Sequence, residues 1–231
     1  MSLIRQFYNF THNTAGLAKI FRLIQAISQI VIEFTVDDVS ASRWAIAKSQ
    51  LALSRRYLSF FEVIDSFDRV AALLSGETSG HGIVWMLVDL ARWSCLGTYL
   101  LLEDLTILHI MNVYPVSWNG PVLEQAYKFR FYALALSVFG ATWGLIFCSS
   151  GPSKASMPKD ERQGTKKVKS SGKKSVFQST SRTAVTSTLV KRIIVDSCDL
   201  LIPGSILGWI AVSDLGVAVA MLFSTVVSGK D

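Results

Sequence analysis

The sequence predicts an all-α, membrane-associated helical bundle of about five or six helices, with a long amphipathic second helix, one or two membrane-embedded segments and a disordered basic linker. Three observations predict it. Half of the 231 residues are apolar and mean hydropathy is positive, which is too greasy for an ordinary soluble domain. Apolar residues recur at helical steps of three and four along most of the chain. One run, FYALALSVFGATWGLIFC, holds 18 residues without a charge. A tightly packed soluble α-helical globule is the competing reading of the same composition.

From Thr14 to about Phe34, Leu17, Ile20, Phe21, Leu23, Ile24, Ile27, Ile30, Val31 and Phe34 recur at helical spacing, with Lys19, Arg22, Gln29 and Glu33 on the other side. Asn13 or Thr14 is the expected cap. Asp37 to Ser40 makes a polar break, with acidic residues where the dipole of the next helix favours them. The second helix is expected from about Ala41 to Ser75. It places Ile46, Gln50, Leu53, Tyr57, Phe60, Ile64, Phe67 and Ala71 on one stripe and Lys48, Arg55, Glu62 and Arg69 on the opposite face. Gly76 stops it, and Glu77 to Gly82 reads as a loop.

A third helix is expected from about Ile83 to Tyr114, ended by Pro115. Its apolar patch, Trp93 to Leu102, is hemmed in by Asp89, Arg92, Glu103 and Asp104 and is too short to cross about 30 Å of hydrocarbon. Pro115 to Pro121 reads as a turn, with Pro121 at a first helical position. The uncharged run 131–148 follows as a candidate span, with Lys128 and Arg130 placed to reach headgroups. Gly140 and Gly144 have the small-xxx-small spacing that permits close helix–helix contact. A buried helix of a soluble protein would show the same run.

Residues 149–188, rich in Ser, Thr, Lys and Gly, are expected to form the linker. Lys154 to Arg182 carries nine Lys or Arg against Asp160 and Glu161, so this stretch holds +7 of a net charge of +6 and the rest of the chain is close to neutral, at −1. Acidic headgroups or acidic protein segments suit such a run; nucleic acid suits it less, because aromatic residues are not interleaved. Phosphorylation of Ser170, Ser171 or Ser175 would weaken such a contact. Leu189 to Leu201 reads as helix broken at Pro203-Gly204. Ile206 to Val227 is long enough for a second span or a re-entrant hairpin, with Asp214 paired, protonated or near the surface.

Catalytic chemistry is not expected. His12, His81 and His109 are scattered, Cys95, Cys148 and Cys198 are widely spaced, and phosphate loops, dinucleotide glycine patterns and nucleophile elbows do not occur. Neither a cofactor nor a metal is expected. Met1 to Phe10 has no apolar core with a cleavage site, so an internal signal is the expected route to a membrane.

Several segments in order resemble one family. They are LAKIFRLIQ, ASRWAIAKSQLALSRRYLSFFEVID, DLARWSCLGTYLLLEDL and DLLIPGSILGWIAVSDLGVAVAMLFSTVVSG, covering nearly all of the chain outside the basic linker. The run Ser49 to Arg56 and the run IPGSILGW are the most family-specific. On these the chain is similar to the peroxin eleven family of peroxisomal membrane elongation and proliferation factors, with the look of a fungal member. The resemblance implies a non-enzymatic protein that tubulates and constricts the peroxisomal membrane before fission, partly by inserting an amphipathic helix into one leaflet.

Carried onto this chain, Ile46, Leu53, Tyr57, Phe60, Ile64 and Phe67 would form the inserting face and Lys48, Arg55, Arg56 and Arg69 would meet anionic headgroups. The same stripe would also serve as a packing seam between helices. The division implied is 1–148 as the membrane-shaping region, 149–188 as linker and 189–231 as membrane-embedded helices. Implied partners are an anionic phospholipid membrane, further copies of the chain, the dynamin-related fission machinery and the peroxisomal membrane-protein import receptor. Lys166, Lys167, Lys169, Lys173 and Lys174, beside an apolar segment, resemble the signals that receptor reads. The rival reading is a pore or metabolite-transport protein, for which Asp214, Asp89, Arg92 and Glu103 are the polar candidates.

Overall fold

The computed structural model describes residues 3–75, 83–150 and 174–228, and among these all regular structure is helical. The helices are α1 (Leu3–Phe34), α2 (Asp38–Ser59), α3 (Glu62–Leu74), α4 (Ile83–Leu105), α5 (Ile107–Ile110), α6 (Asn119–Ser150), α7 (Lys174–Ile206) and α8 (Asp214–Ser228). Helix α1 starts well before Thr14, because residues 3–13 contain neither Gly nor Pro to stop it. Helix α2 is capped by Asp37, whose carboxylate accepts from Ser40 N at 3.0 Å and Val39 N at 3.4 Å.

The single helix expected from Ala41 to Ser75 is two helices. The backbone tightens at the junction, where Phe60 N bonds Tyr57 O and Ile64 N bonds Phe61 O, each three residues back. The cause is tertiary: α2 lies on α1, whereas α3 lies on α4. One straight rod could not serve both neighbours. The Phe60 and Phe61 rings meet edge to face at 5.2 Å on the outside of this bend.

Two further ends differ from the sequence reading. The third helix stops at Leu105, and the single turn α5 closes with Asn112 at φ 60°, where Val113 N bonds Leu108 O and Asn112 N bonds His109 O. The ring of His109 serves the turn that follows, its Nδ1 accepting from Val116 N at 2.9 Å. Helix α7 already begins at Lys174, inside the stretch expected as linker, and runs through buried Pro203 to Ile206. Its true stop is Gly208 at φ 70°, with Trp209 N bonded to Gly204 O and Gly208 N to Ser205 O. The chain then returns, and Trp209 packs edge to face on Phe131 of α6 at 5.0 Å.

Replacing Gly208 by Ala forces a Cβ into the left-handed region at a cost of about 1–2 kcal/mol. The expected result is a lower melting temperature of the purified chain with its helix content unchanged. An unaltered melting temperature would show that the turn does not hold the end of α7.

The long helices close into a circuit, with contacts running α3 to α4, α6, α7, α8, α1 and α2, and α2 joining α3 in the chain. Small side chains make the contacts: Ala26, Ala126, Ala133, Ala141 and Ala218 are buried, as are Ser28, Ser66 and Ser224. Tyr99, Leu100 and Met221 are buried with them, whereas many other large apolar side chains point outward, among them Ile20, Ile83, Leu87, Phe139, Val219 and Phe223. Helix α6 is the one described helix long and apolar enough to cross a membrane, over Asn119–Ile146. Helix α8, at about 22 Å for its length, falls short of about 30 Å of hydrocarbon.

Candidate functional site

Two features stand out, an apolar outer face on α2 and α3 and a charged cavity inside the circuit. On the outer face Ile46, Tyr57, Phe60, Ile64 and Phe67 are all exposed, Ile46 by 59% and Ile64 by 52%. Leu53 is half-buried. Phe67 also touches Gly97 of α4, where a Cβ would lie 3.4 Å from its ring, so α3 sits close to α4 without hiding its apolar side. Arg69 is exposed, 6.0 Å from the Trp93 ring centroid, and Lys48 is half-buried on α2.

Arg55 and Arg56, expected to meet headgroups, are half-buried and each reaches a partner on another helix. Packing of α2 on α1 turns both inward: Arg55 Nη1 donates to Gln25 Oε1 at 2.9 Å, and Arg56 Nε lies 3.0 Å from Glu103 Oε1 on α4. Arg130, expected to reach headgroups, has its Nη1 donating to the Tyr99 hydroxyl at 2.6 Å and its guanidinium stacked 5.0 Å from that ring. Gly140 and Gly144 both face α4, and a Cβ on Gly144 would stand 3.0 Å from Trp85 Cζ2. Lys166, Lys167, Lys169 and Lys173 lie outside the described residues; Lys174 opens α7. Asp214 is exposed in the first turn of α8.

The cavity measures about 520 Å³, and every long helix contributes to its wall. Its charged residues are Arg55, Arg56, Arg92, Arg130 and Arg192 with Glu62, Glu103 and Asp196. Ser137 of α6 stands at a node: Arg192 donates to its hydroxyl from Nε at 3.1 Å and Nη2 at 2.9 Å, and the hydroxyl donates to Asp196. Arg92 Nη1 approaches the same hydroxyl at 3.4 Å. Beside the cavity, Arg22 of α1 forms a two-pronged ion pair with Asp199 of α7 and also donates to Ser224 of α8 at 3.0 Å.

Burial acts on these groups as low-dielectric surroundings should. It brings the Arg55 guanidinium down to about 10, helped by the charges of Arg130 and Arg22, so it stays protonated at neutral pH. It raises the Tyr99 phenol, which is therefore neutral where Arg130 meets it. It also raises Asp196, against the lowering effect of Ser137 and Arg192. Burial, with Glu103 and Glu62 nearby, pushes Asp104 up to about 7.

The sequence reading singled out Arg92 and Glu103 as polar candidates but missed Arg192, Asp196, Tyr99 and Ser137. A signal existed for Ser137, a polar residue in a helix otherwise dominated by apolar ones, and for Arg192 and Asp196, an opposite-charge pair four residues apart on α7. Its weakness is that the remaining partners, such as Ser137 with Arg192 and Tyr99 with Arg130, come from different helices.

A family model described as peroxisomal biogenesis factor 11 (PEX11) matches residues 4–231. Neither a curated protein nor a solved structure matches the chain.

Proposed function

Because the chain belongs to the peroxisomal biogenesis factor 11 family, and is thereby a biogenesis factor of the peroxisomal membrane, we propose that it elongates and tubulates the organelle before fission. The observation that carries this reading is the exposed apolar row Ile46, Tyr57, Phe60, Ile64 and Phe67 on α2 and α3. A row of this kind sinks into the headgroup and acyl boundary of one leaflet, spreads that leaflet and favours curvature. Lys48 and Arg69 are the charges that meet headgroups, since Arg55 and Arg56 turn towards Gln25 and Glu103. The bend at Phe60-Phe61 puts aromatic rings at the centre of the wedge.

Each wedge is small, so copies of the chain associate and add their effects along a tubule. The dynamin-related fission machinery then acts on the narrowed membrane, and the basic residues Lys166, Lys167, Lys169, Lys173 and Lys174 are read by the membrane-protein import receptor. A pore or metabolite-transport role is the second reading, favoured by the charged cavity with Arg92 and Glu103 in its wall. Asp89 and Asp214 are not among the residues lining it.

One reconstitution separates the two. Full-length chain in solute-loaded anionic liposomes is expected to draw out tubules while retaining the solute. Spherical liposomes that leak would overturn membrane shaping in favour of the pore.

A further inference from the structure

The charges in the cavity wall do not balance. Five arginines face three carboxylates, which leaves two positive charges over. Only two of the arginines lie within ion-pair distance of an acid, Arg56 with Glu103 at 3.0 Å and Arg192 with Asp196 at 3.6 Å. Arg55, Arg92 and Arg130 hydrogen-bond to neutral partners, namely Gln25, Ser137 and Tyr99, and the acids that act on them, Glu103 on Arg55 and Glu103 with Asp199 on Arg130, do so from beyond ion-pair distance. No ion pair to them occurs among the described residues. Arg56 Nη1 is in addition buried with no hydrogen-bond partner.

Unpaired cations withdrawn from water are costly, and a fold that gathers them around a hollow is stabilised by an anion that enters it. Guanidinium groups match phosphate oxygens in geometry, with parallel N–H donors, better than they match a single point charge. A phosphate monoester carries about two negative charges near neutral pH, the surplus found here. The volume suits a small ligand or a lipid headgroup with its glycerol. The wall also holds apolar side chains, Leu96, Leu134, Ile202, Ile206 and Met221.

We propose that the cavity lined by the helix circuit is a binding site for a phosphate monoester, with Arg55, Arg56, Arg92 and Arg130 as its phosphate ligands. The same chemistry is offered by a soluble phosphate ester and by a lipid with a monoester headgroup. The inference rests on the cavity and is independent of the membrane-shaping reading: a chain that tubulates liposomes need not bind the ester, and one that binds it need not tubulate.

The test uses the full chain in phosphatidylcholine nanodiscs and follows its melting temperature with glycerol 3-phosphate in solution or with phosphatidate in the disc. Phosphatidylserine, a lipid without a phosphate monoester, is the control. A rise with both probes establishes a site that reads the monoester from either source; a rise with phosphatidate only assigns it to lipid, and with glycerol 3-phosphate only to a soluble ester. Arg55→Gln and Arg92→Gln are each expected to weaken binding about tenfold or more, the loss of one charge-assisted bond. Because each removes a cation that has no acid partner, the ligand-free melting temperature should hold or rise. No rise with either probe, an equal rise with phosphatidylserine, or a rise that survives both substitutions would overturn the proposal. So would ligand-free variants that melt below the parent, which would make these arginines structural.

Discussion

Full-length chain carrying Phe60→Glu and Ile64→Glu is expected to leave anionic liposomes spherical and, expressed in cells, to leave peroxisomes short. Both side chains are about half exposed, at 44% and 52%, on the bend between α2 and α3. Sinking the exposed half of each into the acyl boundary contributes about 1 kcal/mol, and two carboxylates at that depth would oppose entry by more. Together the change is on the order of 3–4 kcal/mol, a loss of roughly a hundredfold or more in insertion. The fold should tolerate it, because exposed positions away from partners usually change stability little. Phe60→Glu does remove the edge-to-face pairing of the Phe60 and Phe61 rings. Helix content measured beside the parent distinguishes a blunted wedge from an unfolded chain. Undiminished tubulation by a folded double variant would end the case for this face.

Glu103→Gln is expected to have the largest effect on stability. Glu103 is 8% exposed and is the acid partner of Arg56, whose side chain is itself mostly buried. Replacing the carboxylate leaves a buried guanidinium uncompensated and raises the positive surplus of the cavity, at a cost of roughly 3–5 kcal/mol. A marginal membrane protein losing that much should melt far below the parent in phosphatidylcholine nanodiscs. Adding Arg56→Gln removes the stranded charge, so the double variant should recover a good part, a coupling of about 1–3 kcal/mol. A Glu103→Gln chain as stable as its parent would mean that water reaches the pair and that the cavity is not the low-dielectric site described.

The helical class, the candidate span in α6, the exposed row on α2 and α3 and the glycine face of α6 could all be read from local pattern. Periodicity reports which residues are spaced to share a face, and Ile46, Tyr57, Phe60, Ile64 and Phe67 are each exposed. What periodicity could not reveal is the bend at Phe60-Phe61, since the stripe passes through it unbroken and only the separate seats of α2 on α1 and α3 on α4 divide it. Pro203-Gly204 was a misleading stop for the same reason: a buried, well-packed proline is tolerated, and the left-handed residue that ends α7 is Gly208.

The arginines show the boundary most plainly. From spacing, Arg55 and Arg56 belong opposite an apolar stripe and Arg130 at the mouth of a span, where headgroups are the natural partner. In the fold all three turn to groups on other helices, Gln25, Glu103 and Tyr99, each about thirty or more residues away in the chain. Residue order alone dictates that this chain is helical, which faces are apolar and that charges occur among them, because those are properties of neighbours along the chain. Which charges face inward, and that they do not balance, follows from the packing of the helices. A Coulomb partner is set by distance in space, and closing the circuit is what brings five arginines around one cavity.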